Sequence, residues 1–240
     1  MIFLCSPQSR FLGDSHFPDF GLQFYKDERI RLVQNFYTSY SALTLSHTTD
    51  KAPAVAGLER RISRAFNSES VNGVLWRKSW AERTLLWRAA DPGALTRIDY
   101  QQSDSKIPSW SWMACDGQIT FVDVPFADVE WVNNVHGPPP KGDIGIRAEA
   151  SELVLHGEEL TKRAVLDLEV TESGEDRWRC VLVGKKKAAR VQSDAAHYVL
   201  LIRPVPSTFA SQLGDDFERI GVAILLSTHF SAQTTTVHVV

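Results

Sequence analysis

Apolar residues in the first half of the chain recur at intervals of three and four. From Lys26 to Tyr40 the positions Ile30, Val33, Phe36, Tyr37 and Tyr40 follow that spacing, which predicts an amphipathic helix. A second helix is predicted to start at Asp50, with Asp50 as N-cap and Pro53 in the first turn, and to run through Val55, Leu58 and Ile62 to Phe66. Further helices are predicted over Ser70–Trp76 and Ser79–Arg88, the latter carrying Trp80, Leu85 and Trp87. Asp91-Pro92-Gly93 ends that series.

After Pro108 the period changes to two. Trp110-Ser111-Trp112 and Gln118–Val122 alternate as strands do, and so do Glu152–His156, Ala164–Val170, Trp178–Val183, His197–Ile202, Arg219–Leu226 and Thr234–Val239. Gly137-Pro138-Pro139-Pro140-Lys141-Gly142 reads as a stiff connection. Gly174-Glu175-Asp176 and Gly214-Asp215-Asp216 read as turns. Helices followed by a mostly antiparallel sheet predict an α+β fold, with a helical part over residues 1–106 packed on a twisted sheet or open barrel over 107–240 in one integrated domain.

At 240 residues the chain is long enough to build its core without metal or disulfide support. With 43% hydrophobic and 23% charged residues it is ordinary for a globular protein. A net charge of -3 supplies no basic field for nucleic acid. Cys5, Cys115 and Cys180 are odd in number and widely spaced, which suits a reducing compartment. The opening apolar run Ile2–Cys5 is too short for a signal peptide, and no stretch approaches a membrane span, so a cytoplasmic location is expected.

Motif chemistry is sparse. Gly142-Asp143-Ile144-Gly145 lacks the lysine and the setting of a phosphate loop, and no serine sits in a nucleophile elbow. His16, His47, His136, His156, His197, His229 and His238 show no ligand spacing, so neither metal nor organic cofactor is expected. Lys185-Lys186-Lys187 with Arg190 reads as a solvated basic turn. The informative residues are aromatic: seven Trp, twelve Phe and five Tyr against two Met. On an extended Pro108–Trp112, Trp110 and Trp112 would share one face, either as a core ladder between layers or as the wall of a pocket for an apolar ligand. Trp76 and Trp80, four apart, would share a helical face in the core.

Tyr40-Ser41-Ala42-Leu43-Thr44, Thr49–Leu58, Gly73-Val74-Leu75-Trp76, Leu85-Leu86-Trp87-Arg88 and Ile107–Trp112 occur in an order that resembles fungal heterokaryon-incompatibility (HET) proteins. Leu153-Val154-Leu155-His156-Gly157 and Glu218-Arg219-Ile220-Gly221-Val222 resemble that family's downstream strands, so the likeness spans about Tyr37 to Leu226. The family's effector domain, marked by a serine-tyrosine-cysteine-tryptophan-glycine motif and an aspartate-containing strand, has no counterpart here. The resemblance therefore implies the region downstream of the effector domain, and no effector residue carries over.

Two functions follow as expectations. One is a cofactor-free cyclase, a pericyclase of the intramolecular Diels–Alder type, acting on a terpenoid or polyketide in fungal secondary metabolism. The other is a regulatory, ligand-sensing or protein-interaction module. The candidate pocket residues are Tyr40, Trp76, Arg77, Trp110, Trp112 and His156, with no catalytic residue singled out, an apolar small molecule as ligand, and neither nucleic acid nor membrane as partner. A deep aromatic cavity would favour the cyclase, and a flat apolar patch the interaction module.

Overall fold

The computed structural model describes residues 26–77, 79–100, 106–169, 177–187, 195–205 and 216–240. Helix α1, Lys26–Ser41, buries Ile30, Val33, Phe36 and Tyr37 as their spacing requires. Helix α2, Lys51–Phe66, buries Val55, Leu58, Ile62 and Phe66. Its start differs from expectation. A single 3₁₀ turn, Thr48–Asp50, precedes it, and Asp50 itself has helical angles (φ -76°, ψ -6°), so its carboxylate makes no capping bond. Asn67, in the left-handed region at φ 47°, ends the helix and donates its N–H to Ser63 O.

The helix expected over Ser70–Trp76 is a β-hairpin. Strands β1 (Glu69–Val71) and β2 (Val74–Trp76) pair antiparallel around Asn72-Gly73, at φ 50° and 79°. Both central residues of a type I′ turn need positive φ, and Asn-Gly is the pair that adopts it most readily. Here that local turn chemistry outweighs the apolar spacing. Gly73 is constrained twice, because a Cβ at this position would land on the Trp112 indole. Gly73→Ala is expected to cost on the order of 2–4 kcal/mol, combining left-handed strain with overpacking. Chemical denaturation checks it, and an unchanged midpoint would contradict the tight approach.

Helix α3 is also shorter than expected, Trp80–Leu85, and Trp87 lies in strand β3 (Trp87–Ala89). Trp76 and Trp80 therefore share no helical face. Trp80 meets Phe66 edge-on at 5.5 Å, while Trp76 meets Trp110 edge-on at 6.1 Å. Strands β4 (Thr96–Arg97), β5 (Cys115–Asp116) and β6 (Ile119–Phe121) follow; β4 pairs β5 and β3 pairs β6. The strand expected at Trp110–Trp112 does not form. Ser111 Oγ accepts the Met113 N–H and caps a 3₁₀ turn over Trp112–Ala114, which rotates the two indoles apart. Trp110 enters one cluster and Trp112 another.

The later strands are β7 (Val129–Trp131), β8 (Ile146–Leu153), β9 (Ala164–Leu166), β10 (Arg179–Lys186), β11 (His197–Pro204), β12 (Asp216–Leu225) and β13 (Phe230–Val239), with the short helix α4 (Gly157–Thr161) after β8. β8, β10, β11, β12 and β13 close into a five-stranded mixed barrel. Its ladders are antiparallel except between β12 and β13, which touch in parallel at Asp216↔His238 and Phe217↔Val239. The fold is α+β.

The strand expected over Glu152–His156 lies earlier: β8 ends at Leu153, Val154 is 63% exposed and His156 stands at the N-cap of α4. β9 stops at Leu166, short of Val170, because Asp167 turns into the interior. Val170, Gly174-Glu175-Asp176, Arg190 and Gly214-Asp215 lie outside the described residues, and Asp216 opens β12 instead of closing a turn. Lys185 and Lys186 belong to β10, where Lys185 pairs with Glu130 at 3.2 Å. Gly137–Gly142 is neither helix nor strand.

Among the described residues three apolar clusters form the core. The helical one joins α1 and α2 to Trp80, Trp87, Trp112, Met113 and Ile119. The second takes alternate residues of all five barrel strands, among them Ala148, Val181, Leu200, Val222 and Val237, and adds Val74, Leu85, Leu86 and Trp110 from before them. The third takes the other alternation, with Cys180, Val199, Leu201, Ile220 and Leu225, and is covered by Leu160 and Trp178. Residues from both sides of position 107 enter the first two clusters.

A buried ion pair joins the layers. Arg219 on β12 is 1% exposed; its Nε lies 3.1 Å from Asp167 Oδ2, and its guanidinium lies flat over the Trp87 ring at 3.4 Å. Its remaining N–H groups donate to Leu85 O at 2.9 Å and to Trp87 O. Burial pushes the Asp167 carboxyl above its ordinary value while Arg219 pulls it back.

Candidate aromatic cleft

A cleft of about 570 Å³ opens between the β2–α3 junction and the chain that follows β7. Trp76, Ala81 and Leu85 form one wall, and Trp131, Val135 and Pro138 the other. Arg77, Glu82 and Asn133 are the polar groups at its surface. It is half open rather than a sealed cavity.

Both walls are held firmly. Trp76 ends β2, and Trp110, fully buried behind it, meets its ring edge-on. Trp110 is fixed in turn, with its Nε1 donating to Ile144 O at 3.1 Å and its carbonyl accepting from Trp87 Nε1 at 2.9 Å. Trp131 ends β7 opposite Gly184, where any Cβ would strike its ring. The Arg83 guanidinium lies 5.0 Å from the Trp131 ring and 4.1 Å from Phe126, and donates to Val124 O and Pro125 O. After Trp131 the chain runs beside the barrel: Val132 N–H donates to Val183 O, Glu149 N–H to Asn134 O, and Val135 bridges Ala148.

The Gly137–Gly145 loop, which brings Pro138 to the cleft, is secured at its far end. There Asp143 Oδ1 accepts the Gly145 N–H at 3.0 Å and lies 3.4 Å from His238 Nε2, while His238 Nδ1 is 2.9 Å from Asp216. The Gly145 N–H holds the Asp143 carboxyl below its ordinary value, and His238 adds to that pull.

Chemically, the cleft offers apolar and aromatic surface with few donors. The Trp76 indole N–H is buried without a protein acceptor. Arg77 uses Nη1 on Phe66 O at 3.1 Å and lies 5.2 Å from the Trp80 ring, so its guanidinium is oriented. The two described thiols are unsuited to nucleophilic work: burial pushes Cys115 up to about 11 and Cys180 up to about 12, and both are enclosed. Among the described residues no three His, Cys, Asp or Glu side chains group to hold a metal. Among the described residues no helix is long and apolar enough to cross a membrane.

Of the six residues singled out from sequence, Trp76 and Arg77 line the cleft, and Trp110 backs Trp76. The other three lie elsewhere. Trp112 is fully buried in the helical cluster, 5.3 Å from the Tyr37 ring and beneath Lys51. Tyr40 packs against that same cluster from α1, and His156 is exposed at the start of α4. A shared Trp110–Trp112 wall is therefore absent. Sequence reasoning missed Trp131, Asn133 and Val135, which sit in a three-residue strand and an extended run beside it; the alternation of Val129 with Trp131 was the only local signal. No family model, curated protein or solved structure matches this chain.

Proposed function

We propose that this chain is a HET-like module that binds an apolar small molecule in the Trp76–Trp131 cleft and, in its most concrete form, acts as a cofactor-free cyclase. The substrate class is a terpenoid or polyketide of fungal secondary metabolism able to undergo intramolecular cycloaddition. The observation that carries this reading is the cleft itself. Its volume of about 570 Å³ falls in the range of small-molecule sites, and two anchored indoles face it with few polar groups between them.

A cycloaddition develops no full charge, so such a site needs no acid–base pair. It needs walls that hold diene and dienophile in the reactive fold, which removes part of the entropic barrier. Anchoring by Trp110, Gly184 and Arg83 suits the two indoles to that task. A substrate carbonyl near Arg77 or Asn133 would gain a hydrogen bond that strengthens as charge shifts in the transition state.

The half-open mouth favours a second reading, in which the cleft accepts a side chain of a protein partner. Incubation with linear and monocyclic precursors, anaerobically and with chelator, separates the two. The cyclase reading expects a rate above buffer that vanishes on denaturing the protein. It also expects saturable quenching of tryptophan fluorescence that Trp76→Ala weakens by about tenfold or more, since a lost aromatic contact of about 1.4 kcal/mol has that effect. Absence of binding and turnover across a broad precursor set, with one stoichiometric protein partner recovered by pull-down, would replace it with the interaction module.

A further inference from the structure

A second, smaller cleft lies on the other side of Arg83, independent of the aromatic one. It holds about 160 Å³ between α1 and the chain from Thr120 to Phe126. Arg31, Gln34, Asn35 and Thr38 line it from α1, at the i, i+3, i+4 and i+7 positions that share one helical face. Thr120, Asp123 and Phe126 face them.

The charges in this cleft are unequally committed. Arg83 is occupied by the Val124 and Pro125 carbonyls. Gln34 donates its amide to Arg83 O at 3.3 Å. Arg31, by contrast, is exposed and makes no ion pair among the described residues; its guanidinium rests on the Phe126 ring at 4.8 Å, which orients it without consuming its donors. Asp123 is exposed and likewise makes no ion pair or hydrogen bond among the described residues. Arg31 and Asp123 thus line one small cleft without forming an ion pair with each other, alongside Arg83 and the neutral groups of Asn35, Thr38 and Thr120.

We propose that this cleft binds a small zwitterion, an amino acid, with its carboxylate on Arg31 and its ammonium on Asp123. Arg31 offers a planar fork that matches a carboxylate, and charge-assisted bonds of this kind are about twice as strong as neutral ones. A simple anion would meet Asp123 as a repelling neighbour, and a simple cation would meet Arg31 and the charge that Arg83 keeps beside its carbonyl partners. Only a ligand carrying both charges satisfies both residues. The cleft, about 160 Å³ and half open, has room for a small amino acid.

Isotope-labelled full-length protein titrated with L-alanine, acetate or ethylammonium, and followed by amide chemical shifts, tests the assignment. Saturable shifts at Arg31, Asn35, Thr38, Thr120 and Asp123 are expected with L-alanine at concentrations where the single-charge probes give none. Arg31→Gln and Asp123→Asn should each weaken L-alanine by about tenfold or more, the value of one charge-assisted bond. Both side chains are exposed, so the rest of each spectrum is expected to stay in place. Linear, non-saturating shifts, equal responses to acetate and L-alanine, or wild-type affinity in either variant would overturn the proposal. Binding confined to the aromatic cleft would overturn it too.

Discussion

Asp167→Ala should unfold the protein far more readily than the loss of one surface carboxylate. Arg219 would be left fully buried, with a charge that Leu85 O and Trp87 O solvate only in part. Breaking a buried pair from one side costs about 3–5 kcal/mol, which for a chain of this size lowers the melting midpoint by roughly 6–20 °C. Arg219→Met together with Asp167→Ala removes both charges and should recover part of that loss. The test is calorimetry or denaturant titration of the two variants side by side. A single variant within about 1 kcal/mol of wild type, the range of exposed pairs, would show that water reaches the pair.

The second large effect concerns the two core indoles. Trp112→Ala and Trp110→Ala should each cost about 3–5 kcal/mol, because each side chain is fully enclosed and its removal leaves a cavity. Their consequences should differ in kind. Trp112 touches Tyr37 within the helical cluster, and Lys51 and the hairpin glycine beside it. Trp110 backs Trp76 and fixes Ile144, so its loss should loosen the aromatic cleft as well. The milder pair Trp110→Phe and Trp112→Phe measures whether the indoles form one unit. Belonging to separate clusters, they should add within about 0.5 kcal/mol in the double variant. Coupling well above that would restore the shared wall.

What the sequence made legible follows from the range of the forces involved. Helices α1 and α2 were readable because a buried stripe on a long helix imposes its period over four turns. The cores of β10, β11, β12 and β13 were readable because strand-favouring residues such as Val, Ile, Tyr and Thr recur over eight to ten positions. β11 and β12 are nonetheless buried in unbroken runs instead of alternating. The hairpin at Asn72-Gly73 was misjudged although its turn signal was present, since Val71, Val74 and Leu75 also satisfy a helical spacing. Trp110 and Trp112 were misplaced because one hydroxyl, that of Ser111, reorients the backbone between them. Closure of the barrel left no local trace, depending as it does on β11 pairing β12 while β13 returns to β8. The aromatic cleft was half visible: Trp76 and Arg77 announce themselves by type, whereas Trp131 gains its place from Gly184, more than fifty residues downstream.

The reach of Arg219 bears on the order in which the chain folds. Its carbonyl partners Leu85 and Trp87 lie 134 and 132 residues away along the sequence. The hairpin and the helices can form from local contacts, and so can the ladders between strands consecutive in sequence, such as β10–β11 and β11–β12. A contact across that separation closes a long loop, an entropic cost recovered only once both surfaces exist to meet. The guanidinium thus reaches its carbonyls late, after the barrel has presented β12 and α3 has ended at Leu85. Interactions that form late leave the folding rate nearly untouched and act on the rate of escape. Arg219 and Asp167 therefore set how long the native state lasts more than how fast it is reached.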